Sequence, residues 1–181
     1  MSIPLGYRIN DNRGITAIVI DDDKDTASLL TEFLKIKGIS VIGTGYSGLE
    51  AITIYKNLRP DVIFLDVMME GHDGFYTLEK IREIQSDAIV IMITADTRQE
   101  TQERLIELNA SAIIYKPYDI NEVMDTLNDL VLKLKRELLE SIVYQKALLK
   151  EMNLILKKKL QDLQIASSHK NNMIPKADPT E

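Results

Sequence analysis

Residues 17–25 read AIVIDDDKD, so an apolar run ends directly on Asp21, Asp22 and Asp23. Adjacent carboxylates repel one another, and burying any of them without a partner is costly. Either the three are solvated loop residues, or something strongly positive sits among them. Three further residues able to do chemistry also follow short apolar runs: Asp66 after VIFL, Thr94 after IVIMI and Lys116 after AIIY. Each has an ordinary use when taken singly. Asp23 or Asp25 can cap the following helix, Thr94 can cap another, and Lys116 can be a loop charge.

The elements that must position these residues give them a common address. Apolar, β-branched runs at 16–20, 39–43, 62–65, 89–93 and 112–115 predict strands covered on both faces. Amphipathic patterns at 25–37, 47–58, 74–85 and 98–109 predict helices between them. Gly38 suits a helix stop, Pro60 a loop and Asn109 a left-handed helix end. Five βα repeats predict an α/β fold with a doubly wound five-stranded parallel sheet. Ligands of such sheets gather at the carboxyl ends of the strands. Asp21–Asp23, Asp66, Thr94, Ala95 and Lys116 all fall there.

The chain has 181 residues, 45% apolar and 28% charged, which describes an ordinary soluble protein. No apolar stretch approaches a membrane span, the N-terminus lacks a signal-peptide h-region, and cysteines are absent. A cytoplasmic protein with no membrane partner is expected. Residues 1–120 carry 12 Lys+Arg against 19 Asp+Glu, and residues 121–181 carry 10 against 9. Neither part has the basic excess that nucleic acid demands. Lys157–Lys159, the one basic run, reads as a solvated helix face.

From residue 121 the texture changes. Apolar positions recur at Leu127, Val131, Leu134, Leu138, Ile142, Leu149, Met152, Leu156, Leu160 and Leu163, with Gln145 in the same series. The mean spacing is that of an α-helix with one apolar stripe, which over 121–166 would reach roughly 70 Å. Such a stripe needs a partner. A coiled coil is expected, locally unwound where two four-residue steps follow one another. Gln145 can fix register as a polar seam residue. The alternative is a helix folded back on its own domain. The expected organisation is a flexible arm over 1–14, a domain over 15–125, a long helix over 126–166 and a disordered tail over 167–181.

Five ordered segments, IVIDDD, RPDVIFLDVMMEGHDG, IMITAD, IIYKPYD and the βα repeat that joins them, resemble the receiver domain of two-component response regulators. The resemblance covers about residues 15–135 and implies a flavodoxin-like receiver fold. It makes Asp66 the phosphoryl acceptor. Asp21 and Asp22 become the acidic pair that holds Mg²⁺ together with Asp66 and the backbone carbonyl of Met68. Thr94 becomes the switch hydroxyl and Lys116 the phosphate-pairing lysine, followed by Pro117 through a cis peptide bond. Asp23 matches a position that is often acidic but not usually a ligand. The implied partners are a histidine kinase or histidine phosphotransfer protein, a second copy through the C-terminal helix, and an unidentified downstream protein.

Elementary chemistry agrees with these roles. A carboxylate attacking an anionic phosphoryl donor needs its repulsion cancelled, which an oxygen-liganded divalent cation does. Lys116 supplies a point charge for another phosphate oxygen. The acyl phosphate adds acceptor oxygens, which Thr94 and the N–H groups of Val67 and Ala95 are expected to satisfy. Pulling Thr94 inward would bias a two-state surface beside strands 4 and 5.

Some positions depart from the family pattern. Glu70 replaces the usual proline after the second methionine of DVMM, and Ile113 replaces the switch aromatic, with Tyr115 two positions on. Met68 and Asp96 flank the expected path of hydrolytic water. Because Met68 cannot orient water, slow self-dephosphorylation is expected. His72 and His169 read as surface residues.

No turn glycine or second apolar pattern over 121–166 indicates a helix-turn-helix output module, so output by protein contact is expected. The rivals are a phosphorylation-independent coiled-coil scaffold and a Mg²⁺-dependent aspartyl phosphohydrolase. The complete acid, hydroxyl and lysine set disfavours the scaffold. Such hydrolases usually carry a D-x-D pair after strand 1, whereas here the cluster is DDDKD.

Overall fold

A computed structural model describes residues 14–71 and 73–171. The strands are β1 (Thr16–Ile20), β2 (Ser40–Gly45), β3 (Val62–Asp66), β4 (Ile89–Thr94) and β5 (Ala112–Tyr115). The helices are α1 (Lys24–Ile36), α2 (Gly48–Leu58), α3 (Gly74–Ile84), α4 (Gln99–Glu107) and α5 (Ile120–Asn171). The strands pair in parallel in the order β2-β1-β3-β4-β5. The order reverses between β1 and β3, and a crevice outside the carboxyl ends opens at such a switch point.

Alternation along the strands explains the two-layered core. Ala17, Val19, Phe64, Ile91 and Ile93 face one cluster, completed by Leu30 and Leu34 of α1 and by Val123, Leu127 and Val131 of α5. Ile18, Ile20, Ile63, Leu65, Val90 and Met92 face the other, with Tyr55 of α2, Leu78 and Ile81 of α3 and Leu105 of α4. Both faces of β1, β3 and β4 are therefore buried, which is why they read as continuous apolar runs. The edge strand β2 is half exposed and continues to Gly45, because its ladder follows β1 as far as Ile20.

The helices begin where the sequence provides caps. Asp23, Ser47 and Asp73 accept the N–H groups of Thr26, Glu50 and Tyr76. Gly38 and Asn109 take the positive φ expected of them, and Arg59 adopts it as well.

Tertiary contacts divide the chain at Leu134. Up to there the alternative reading of the last helix holds: Leu127 and Val131 are buried in the sheet's core, and Leu134 packs against it. In the second unit, from Lys135, Leu149, Met152, Leu156, Leu160 and Leu163 are each 52–66% exposed. The backbone of residues 167–171 belongs to α5. Residues 1–13 of the expected arm over 1–14, His72, and residues 172–181 of the expected tail over 167–181 lie outside the described residues, as does the side chain of His169. Among the described residues, no helix is long and apolar enough to cross a membrane.

Candidate functional site

The site is assembled at the switch point from three strand ends. Asp21 follows β1 and donates its N–H to Gly45 O at 3.2 Å. Asp66 is the last residue of β3 and is 3% exposed. Lys116 follows β5, its N–H anchored to Thr94 O at 2.8 Å. Its Nζ reaches across the crevice to Asp66 Oδ1 at 2.7 Å and Asp21 Oδ2 at 2.8 Å. The Lys116–Pro117 peptide is cis, as the resemblance implied.

Carboxylate oxygens of Asp21, Asp22 and Asp66 lie within 4.8 Å of one another. With all three ionised and Lys116 charged, the cluster carries a net charge of −2. The charges leave their mark. Burial pushes the Asp66 carboxyl above the usual carboxylate range; the hydrogen bond and charge of Lys116 oppose this, and the Asp21 charge adds to it. Burial alone would lower the Lys116 ammonium, but hydrogen bonds from Lys116 to Asp21 and Asp66 outweigh it and raise it. A hard, all-oxygen donor set with two uncompensated negative charges fits a divalent cation such as Mg²⁺.

Asp23 stands apart from this cluster. Its side chain caps α1 through Thr26 N–H at 2.8 Å, so the capping use is the one it serves. Thr94 is fully buried at the end of β4, and its Oγ1 accepts the N–H of Asp96 at 3.0 Å. One expected donor is corrected. The Val67 N–H is committed to Ile93 O at 2.9 Å, one rung of the β3–β4 ladder, and is not free for a phosphate oxygen. The amide that faces the Asp66 carboxylate belongs to Met68.

Gly74 contributes without a sequence signal that singles it out: a Cβ there would collide with the backbone of Asp66 and Val67. The glycine lets α3 start directly beneath the Asp66 peptide, and its N–H donates to Val67 O at 2.9 Å. The Asp-Gly pair at 73–74 was the available clue. The Asp96 carboxylate is engaged by Arg98 Nη2 and Nε, at 2.6 and 2.9 Å, and by the Thr101 hydroxyl at 2.7 Å. Those bonds, Arg98's foremost, hold its pKa far below the usual range. Glu70 N–H donates to Asp22 Oδ2 at 3.1 Å and joins the β1 and β3 loops. A cleft of about 450 Å³ opens beside this bond, lined by Asp22, Met68, Glu70, Asp73 and Phe75 among others. Ile113, at the switch-aromatic position, is half-buried against the core that Met92 and Leu105 share.

A parallel 2-1-3-4-5 sheet with an acidic, lysine-paired pocket at its switch point defines a flavodoxin-like α/β protein of the CheY type. The family model of the response regulator receiver domain matches residues 17–128, and the chain belongs to that family. It is similar to the chemotaxis protein CheY of Halobacterium salinarum, with 28% identity over 63% of this chain and 94% of that protein. It also resembles CheY of Bacillus subtilis, with 27% identity over 61% and 92% respectively. Among solved structures, a CheX–CheY–BeF3–Mg complex from Borrelia burgdorferi matches with a TM-score of 0.65 and 29% identity, covering 71% of this chain and 98% of that one.

Proposed function

We propose that the protein is a phosphorelay response regulator that accepts a phosphoryl group on Asp66 with Mg²⁺ bound and signals by protein–protein contact. The observation that carries this reading is the placing of Asp21, Asp22 and Asp66 within 4.8 Å of one another, with Lys116 bonded to two of them. The similar CheX–CheY complex from Borrelia burgdorferi, a complex with BeF3 and Mg, supports it. Asp21, Asp22, Asp66 and the Met68 carbonyl would hold the cation, which when bound would supply the positive charge that cancels the repulsion between the acceptor and its anionic donor.

A carboxylate oxygen of Asp66 attacks the phosphorus of a phosphohistidine or a small acyl phosphate. An O–P bond forms as the donor's P–N or P–O bond breaks, and the leaving group keeps the electron pair. Lys116 pairs with an oxygen of the transferred group. The Thr94 hydroxyl donates to another once it turns from Asp96. The exposed apolar stripe of α5 beyond Lys135 takes a second copy of the chain as its partner. The phosphoryl source is a histidine kinase or histidine phosphotransfer protein, and the target of the signal is another protein.

Intact mass after incubation of the full chain with acetyl phosphate tests the reading. One phosphoryl mass should appear with Mg²⁺ and be absent from Asp66→Asn. Catalytic release of phosphate from small phosphomonoesters, without stoichiometric labelling, would favour the phosphohydrolase instead.

A further inference from the structure

The three carboxylates are not held alike. Asp66 and Asp21 are buried and clamped by Lys116, and Asp21 Oδ1 also accepts the N–H of Asp23 at 3.0 Å. Asp22 is exposed and makes no contact with Lys116. Among the described residues, its carboxylate is held by one hydrogen bond, the Glu70 N–H to Oδ2 at 3.1 Å. We infer that the backbone amide of Glu70 is a positioning group for the cation site, fixing the Asp22 carboxylate before the ion arrives.

The physical case has two parts. An exposed aspartate samples several staggered rotamers, and ordering it during binding costs affinity. Partners behind a metal ligand commonly set its orientation. The same bond spans 48 residues of sequence and ties the β1 loop, which carries Asp21 and Asp22, to the β3 loop, which follows Asp66. One amide therefore fixes both a ligand and the separation of the two loops that share the ion. The donor is main-chain, so the Glu70 side chain is dispensable and the N–H is not. A proline at this position, the residue the family pattern usually places there, removes the donor entirely, so the tie is a feature of this chain and not of the family's common site.

The inference rests on the proposed reading of Asp21, Asp22 and Asp66 as the Mg²⁺ site, and the experiment separates the two. Mg²⁺ affinity of the full chain is measured by amide NMR titration, whose dispersed spectrum also reports that each variant is folded. Wild type and Glu70→Ala should bind within about twofold of each other, whereas Glu70→Pro should weaken binding about tenfold. Replacing the residue-70 amide by an ester deletes the same donor without the pyrrolidine ring and must reproduce the loss. In an Asp22→Ala background, Glu70→Pro should add nothing further, because the two changes act through one carboxylate. Equal affinities for Glu70→Pro and Glu70→Ala overturn the inference, as does an undiminished effect of Glu70→Pro in Asp22→Ala. Absence of Mg²⁺ binding by wild type sinks the underlying reading as well.

Discussion

Lys116 Nζ lies 2.7 Å from Asp66 Oδ1, although 50 residues separate the two in sequence. The lysine is simultaneously shared with Asp21, so one positive charge faces two buried carboxylates and a third nearby. Removing it leaves those carboxylates mutually repelling. Lys116→Ala should destabilise the fold by about 1–3 kcal/mol, the range for a partly buried charge that loses its partner, measured by urea unfolding in chelator. Added Mg²⁺ should restore more stability to this variant than to wild type. Identical Mg²⁺ responses would count against the shared charge balance.

Asp66 provides a pH test whose sign is fixed. Its folded-state pKa is raised above the unfolded value, chiefly by burial, so the folded state binds more protons between the two values. Stability from this group therefore falls as pH rises through that window, and the penalty is fully present above the folded pKa. Asp66→Asn should raise the unfolding midpoint at pH 7 without Mg²⁺, and the gain should shrink as pH approaches the ordinary carboxylate value. A gain independent of pH would place its origin elsewhere.

Gly74 is tested by the smallest possible side chain. A methyl group there meets backbone atoms of Asp66 and Val67 rather than a flexible side-chain tip. Gly74→Ala should cost about 1–3 kcal/mol, as overpacking does, and should slow labelling from acetyl phosphate by displacing the acceptor. Unchanged labelling and unfolding would show that the α3 start is not what sets the position of Asp66.

Asp96 is occupied by Arg98 and Thr101, and Met68 is exposed but has no group to orient water. The acyl phosphate should persist well beyond seconds at neutral pH. Arg98→Ala frees the Asp96 carboxylate in part and should shorten that lifetime by a few-fold, a small share of what a well-placed general base provides. Phosphate release followed in real time checks both statements. A wild-type lifetime of seconds would refute the first.

The stripe on α5 predicts self-association of the full chain at tens of micromolar. Leu149→Lys combined with Met152→Lys should yield a monomer by sedimentation while the sheet's circular dichroism is retained, because both residues lie beyond the packed part of the helix. A monomeric wild type would remove the coiled coil.

Much of this architecture was legible because the responsible forces are local. Two-sided burial makes VIFLD and IVIMIT continuously apolar, and capping requires an oxygen where Asp23, Ser47 and Asp73 stand. The convergence of Asp21, Asp66, Thr94 and Lys116 follows from strand ends sharing one edge. What escaped depends on ladder phase and loop path. Spacing alone does not say which N–H a ladder consumes, so the sequence leaves the Val67 amide open although Ile93 O takes it. The bond from Glu70 to Asp22 depends on where two loops meet. The α5 stripe keeps one period throughout, yet Val131 is buried while Leu149 is 57% exposed, because periodicity does not mark where a core ends.

The most direct test of the central claim is to locate the phosphoryl group chemically. Wild-type protein is incubated with acetyl phosphate in Mg²⁺ or in chelator, then treated with borohydride, which reduces an aspartyl phosphate to homoserine, and its peptides are weighed. Homoserine is expected at position 66 in Mg²⁺ and almost none in chelator. Modification at another aspartate, or equal labelling without the cation, would contradict it.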